Sequence, residues 1–504
     1  MKTTLAILFL VIGTLAYGQK NTDYIIPEQA KIEVLLVKEA YSILDSFSER
    51  IWPGWQEFRN HPIQLSFQNN LEILINHPAP PESFYRYNDP DFVGLSVYVD
   101  NTDITSLDIS HPLKPGGGLF YGGRHNGKPL WMVKLDLRKG DEKIGSEDKQ
   151  CWPESHILVF IHELIHCYQR DHVTAPYGNL SVNPDKEYSL YGTLEGMALS
   201  KAWQAESEEE TKRYLKHFLQ ARERKYEFLT EREKLEASCD EIMEGMAVYS
   251  ELRTLDLLEN SNYRNPSLFK NIPELKDKYE ERLEEYTYKM LEVYEKNYEY
   301  GAFQALLLRR LFSDWEKELE EGRPFYLLLA DRQTLNEADS LEFIRSLQSE
   351  YAFDSLNRLA ENIIRKRNQA YKEAQSRDGI EYVVSFKPIK YWVDHHVEES
   401  VPSYAVGLMT LYPEGIGHIK TDEVEVEFKK ECFLESNQLY HFRIVDEEMS
   451  GGKECFQILE GRFDDEKGIY YDAVIETPFF LLKAPQLSIS KRKNRIKFIV
   501  HSRV

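Results

Sequence analysis

Apolar and polar positions recur along this chain with two different periods, and the change of period divides it. Over residues 29–52 apolar side chains return at helical spacing, with Ile32, Leu35, Leu36 and Ala40 on the pattern, so a helix is predicted that Pro53 and Gly54 end. Between about 60 and 140 the stretches 63–67, 93–99 and 130–137 read as strands. Gly116, Gly117, Gly118, Gly122 and Gly123 lie between the last two, and a hairpin or edge strand is predicted there. The period is helical over most of 154–377. The charged runs 206–213 and 231–234 read there as solvated faces or helix connections. From Ile380 the period falls to two. Val383, Val384 and Phe386 open a β-like stretch, and 423–428 alternates strictly, as a half-buried strand does. The expected fold class is α+β. A mixed part with a small sheet spans 19–150, a mostly helical region 151–377, and an all-β domain 380–504.

Residues 1–18 are set apart as a signal peptide. Lys2 supplies the positive start, 5–12 the apolar run, and Ala16, Tyr17 and Gly18 a small-residue cleavage site. Cleavage is expected after Gly18; a short N-terminal anchor is the alternative. No later segment approaches the roughly 18–20 unbroken apolar residues of a spanning helix. The mature chain is therefore expected to be secreted or periplasmic, without stable membrane insertion. The 504 residues carry a formal net charge of −22, which argues against a nucleic-acid partner. Five cysteines, Cys151, Cys167, Cys239, Cys432 and Cys455, include no CxxC pair, so a cysteine zinc knuckle is excluded. Cys432 and Cys455 share one β-rich region and could pair. The Gly-rich stretch matches neither phosphate-binding glycine motif.

The chemistry centres on Ile161-His162-Glu163-Leu164-Ile165-His166, flanked by Ile157, Leu158 and Phe160. Residues four apart share a helix face, so His162 and His166 can offer two imidazoles to one metal ion. Glu163 is angled toward the ion's open side, where it can act as general base toward a water. Polar groups inside an apolar helix need a buried partner, and a metal supplies one. A catalytic zinc commonly takes a third protein ligand. Two glutamates compete for that place: Glu244 in Glu244-Gly245-Met246-Ala247-Val248-Tyr249, and Glu195 in Glu195-Gly196-Met197-Ala198. A glycine after each would suit close approach of two helices. No HxxGxxH continuation follows His166, which excludes the metzincin arrangement. His156 and His172 fall off the shared face and read as bystanders. His395 and His396 are adjacent on a strand and read as surface residues.

These segments resemble the gluzincin zinc peptidases. The stretch beginning at Glu244 is similar to the helix that carries the third zinc ligand in aminopeptidase-N-like enzymes. Tyr298-Glu299-Tyr300-Gly301-Ala302 is similar to their Tyr-Glu-Lys-Gly segment, with Tyr300 in place of the lysine. The resemblance covers roughly 154–315 and implies a zincin catalytic domain. It implies one zinc ion per chain on His162, His166 and Glu244, Glu163 as base, and Tyr298 steadying the oxyanion. Order and separation along the chain favour Glu244 over Glu195. The stretch between His166 and Glu244 is longer than in those enzymes, and their amine-recognising Gly-x-Met-Glu-Asn is missing, so aminopeptidase specificity does not carry over. The expected function is hydrolysis of a peptide or protein substrate. A zinc hydrolase of other substrates and a non-enzymatic exported binding protein are the alternatives.

Overall fold

The structure is a computed structural model of the α+β class. It describes residues 26–67, 71–100, 116–125, 128–137, 152–174, 186–227, 229–261, 263, 269–289, 291 and 298–375, and from 380 onward the strands below with short flanks. The expected signal peptide, Cys151 and a Cys432–Cys455 pairing lie outside the described residues. The described helices are α1 (Glu28–Ile51), α2 (Pro153–His172), α3 (Lys186–Gln204), α4 (Glu208–Tyr226), α5 (Glu231–Glu259), α6 (Ile272–Lys289), α7 (Tyr298–Leu311), α8 (Glu316–Glu320), α9 (Phe325–Arg332), α10 (Glu337–Ser349) and α11 (Phe353–Gln375). None of them is long and apolar enough to cross a membrane.

The chain divides into two compact units, each assembled from separated segments. The first combines Met1–Pro176, Ser238–Arg282 and Asn297–Arg332; the second combines Tyr177–Ala237, Leu283–Lys296 and Gln333–Val504. The changes of period near 150 and 380 mark changes of element type. Which elements share a core is a separate matter, settled by packing between residues far apart in sequence.

In the first unit a six-stranded sheet is formed by β1 (Ile63–Ser66), β2 (Glu72–Ile75), β3 (Tyr85–Tyr87), β4 (Val97–Asp100), β5 (Gly116–His125) and β6 (Lys128–Asp136). Their order is β3-β4-β2-β1-β6-β5. The glycine-rich β5 forms a hairpin with β6 and is also the edge strand, so both expectations for it hold. β1 and β6 run parallel, Ile63 beside Val133. The strand expected over 93–99 is shorter, because the turn Pro90–Phe92 and Gly94, at φ +95°, precede Val97. α1 occupies the expected span, and of the four residues on the predicted pattern Leu36 and Ala40 are buried. Ala30, Val34, Val37, Tyr41 and Leu44 are buried, whereas Ile32 and Leu35 are 40% and 37% exposed. Small Ala30 belongs to the packed stripe together with Ala40.

α2 packs on α1 and on the β5–β6 hairpin. Pro153 suits its first turn, where a missing N–H costs nothing. Ile157, Leu158, Phe160, Ile161, Leu164 and Ile165 are all buried. Each full burial of this kind contributes about 1.5–3 kcal/mol. α5 and α7 cross almost backbone to backbone. A Cβ added to Gly245 would lie 2.5 Å from the Cα of Gly301, and one added to Gly301 would strike the Glu241 carbonyl oxygen. Gln304 Nε2 donates to the buried Glu241 carboxylate at 2.9 Å and ties the crossing. Trp52, Tyr249 and Trp315 meet edge-on in the same core, centroids 5.6–6.0 Å apart.

The second unit holds α3, α4, α10, α11 and a twelve-stranded sheet. Its central strands include β7 (Ile380–Phe386), β8 (Glu425–Phe428), β9 (Phe480–Arg492) and β10 (Arg495–His501). Val426 is buried and Glu427 exposed, as the alternation requires. The charged runs near 206 and 231 form the first turns of α4 and α5 rather than connections. Ser207 caps α4 by accepting from Glu210 N–H, and Glu208, Glu209 and Glu210 complement the positive helix end. His395 and His396 fall on the short strand Asp394–His396, and their side chains lie outside the described residues.

Candidate metal centre

α2 presents His162 and His166 one turn apart, their ring centroids 4.9 Å from each other. α5 brings Glu244 up to both. Its Oε2 stands 3.4 Å from His162 Nε2 and 3.5 Å from His166 Nε2. Among the described residues these three make the cluster whose donor atoms could hold a metal ion, all within 4.8 Å of one another. Zinc bonds of about 2.0–2.2 Å in a tetrahedron separate neighbouring donors by roughly 3.3–3.6 Å. The two separations from Glu244 match that edge.

The tautomers follow from the partners. His162 Nδ1 lies 2.6 Å from a Glu251 carboxylate oxygen, which can only accept, so Nδ1 carries the hydrogen. Glu251 also accepts from the Tyr279 hydroxyl. Gln169 Nε2 donates to the Met243 carbonyl at 2.7 Å, which turns its Oε1 toward His166 Nδ1 at 2.6 Å. Both imidazoles therefore turn Nε2 toward the Glu244 oxygen. The carboxylate draws positive charge to this point, as a proton on a ring or as a bound cation, and two imidazoles with one carboxylate suit zinc. The ionisation shows the same demand. Burial disfavours a charged ring at His162, yet hydrogen bonds to Glu244 and Glu251 outweigh it and hold its pKa well above the usual value. Glu244 is also penalised by burial, but the two imidazoles keep it far below the ordinary carboxylate range.

Glu163 is buried beside them. Loss of solvent raises its pKa, against the pull of His162 and His166. With His162 it lines a cavity of about 250 Å³ that α2 shares with α6, so the carboxylate faces open space rather than packed core.

Glu195 does not compete for the metal. It is fully buried and bound by Arg222 through two contacts of 2.7 Å, and by Lys225 at 2.8 Å. Tyr298 stands half-buried at the first position of α7, outside the ligand trio and the cavity wall, while Glu299 beside it lies 3.6 Å from Arg282. His156 is buried against Glu33 at 2.9 Å, and the His172 ring stacks on Tyr168 at 4.3 Å, so both are bystanders. Tyr168 itself donates to Glu320 at 2.7 Å. Cys167 is a buried free thiol whose pKa burial lifts well above the usual value.

Three participants were missed in the sequence: Glu251, Gln169 and Tyr279. Glu251 is seven residues after Glu244, and Gln169 three after His166. Both intervals return to the same helix face and could have flagged them. Tyr279 comes from another helix, and no local signal marks it.

Compared with known proteins, the chain matches no family profile, no curated sequence and no solved structure.

Proposed function

We propose that this chain is an exported zinc-dependent hydrolase of peptide bonds, with His162, His166 and Glu244 holding one zinc ion. One observation carries the reading: two imidazole nitrogens lie 3.4 and 3.5 Å from one carboxylate oxygen while Glu163 lines the adjoining cavity. Zinc bound there would act as a Lewis acid that lowers the pKa of a coordinated water to roughly 7 and polarises a carbonyl. Glu163 takes a proton from the attacking water and delivers it to the leaving amine. Its raised pKa suits both halves of that shuttle. Glu251, steadied by Tyr279, and Gln169 keep the two rings oriented and their Nδ1 atoms protonated. Tyr298 helps hold the developing oxyanion, a role that rests on the resemblance of its segment to the gluzincins. Export rests on residues 1–18.

The test is metal content and peptide turnover of the purified chain. About one zinc per chain is expected. Glu163→Gln should keep the metal and lose about 10²–10⁴-fold in turnover. Full turnover in that variant, or a chain that binds no zinc when zinc is supplied, refutes the reading.

A further inference from the structure

The α6 side of the cavity is the part the hydrolytic reading leaves unused. Leu275, Lys278, Tyr279 and Arg282 stand at positions i, i+3, i+4 and i+7, so they form one face of α6, and all four line the cavity. Tyr279 is engaged with Glu251. Leu275, with Leu158 from α2, makes the apolar floor. The remaining two are cations on a chain whose net charge is −22. They share the cavity with His162 and Glu163.

Arg282 is held in place. Its guanidinium lies 3.6 Å from the buried Glu299 carboxylate and 5.7 Å from the Tyr279 ring centroid. Its side chain is still one-third exposed. A guanidinium has five donors in a fixed fork that matches a carboxylate, and Lys278, one turn earlier, adds a point charge on the same wall. A cleft walled only by Glu163 and Glu251 would repel an anionic substrate group. Lys278 and Arg282 on α6 offset those two carboxylates and give an anionic group a place on the α6 wall.

We propose that Lys278 and Arg282 form a subsite for a substrate carboxylate beside the bond to be cut. The preferred peptides carry at that place an acidic side chain or a free C-terminal carboxylate. This deepens the hydrolytic reading and rests on it for the word substrate; the anion site itself requires only the cavity.

The experiment uses N-acetylated alanine hexapeptides with Glu or Gln placed at each position in turn, each made as C-terminal acid and as amide. Turnover is measured with the zinc-loaded chain, and binding is measured by calorimetry with the zinc-loaded Glu163→Gln variant. A charge-assisted hydrogen bond predicts a preference of about 10- to 100-fold for a carboxylate over its neutral match. The acid–amide pairs report a terminal carboxylate and the Glu–Gln pairs a side chain. Lys278→Gln and Arg282→Gln should each collapse the ratio toward one with zinc content retained, and Lys278→Glu should invert it. Lys278→Gln decides the matter if Arg282→Gln misfolds by stranding Glu299. Equal binding of acidic and neutral peptides, no binding of any, or a preference that survives both neutral variants overturns the subsite. Charge-selective binding, lost in Lys278→Gln, by a chain that hydrolyses none of the peptides would uphold the subsite and overturn the hydrolytic reading.

Discussion

The tetrapeptide Glu-Gly-Met-Ala occurs at 195–198 in the second unit and at 244–247 in the first, and its two glutamates meet opposite surroundings. Glu195 faces Arg222 and Lys225, two permanent cations supplied by α4. Its charge is neutralised by protein. Glu244 faces two imidazoles, which are titratable rather than permanent cations and can share a bound ion with it. The lesson is that a buried carboxylate is interpreted by its counter-charge, not by its neighbours in sequence.

The strongest test of this contrast exchanges the two losses. Glu244→Ala should abolish stoichiometric zinc binding while leaving the thermal midpoint of the metal-free chain close to its starting value. Glu195→Ala should retain zinc, yet lose about 3–5 kcal/mol of stability by leaving Arg222 and Lys225 buried without a partner. Metal analysis and denaturant unfolding of both variants decide it, and zinc loss in Glu195→Ala alone would reverse the assignment.

Next in size is the support of the ligands. Glu251→Gln removes the carboxylate that holds the His162 Nδ1 hydrogen, and a 10- to 100-fold weaker zinc affinity is expected, roughly the effect of losing such a partner elsewhere. Competition with a chelator measures it. An unchanged affinity would mean that His162 is oriented by packing alone.

The glycine after Glu244 can be tested in the same way. Gly245→Ala places a methyl group against the Gly301 backbone, which cannot retreat as a flexible side chain would. About 1–3 kcal/mol of destabilisation is expected, the usual range for overpacking. A more stable variant, as a helix-favouring alanine would otherwise produce, would show that the crossing is loose.

The smallest effect is on pH dependence. Burial alone would raise the Glu195 pKa, but Arg222 and Lys225 more than offset it and hold it below its ordinary value of 4.5. A carboxyl lowered by folding contributes stability that is fully present above about 4.5, the unfolded value, and is lost as pH falls through the lower folded value. The wild type should therefore lose stability below that pH more steeply than Glu195→Gln. Parallel acid unfolding curves would deny the pair this role.

Much of the site was legible because the relevant relation is local. His162, Glu163 and His166 lie within one helical turn and a residue, and a turn of helix dictates their geometry whatever surrounds it. The strict alternation about Val426 and the glycine-rich hairpin were legible for the same reason: period and turn chemistry act over a few residues. Along α1 the helical period was legible, but which apolar residues are covered was not: Leu36 and Ala40 are buried while Ile32 and Leu35 are partly exposed, because burial depends on what packs over each position.

Sequence by itself determined the helix that carries the two histidines, the α+β class and the candidates for the third ligand. Only the tertiary structure gave those candidates their different surroundings. It brought Arg222 and Lys225 to Glu195, turned Gln169 by way of the Met243 carbonyl, and set Tyr279 behind Glu251. The physical reason is range. Backbone hydrogen bonding and helical repeat are satisfied within a turn, whereas the counter-charge of a buried group can come from any part of the chain that folding places within about 4 Å.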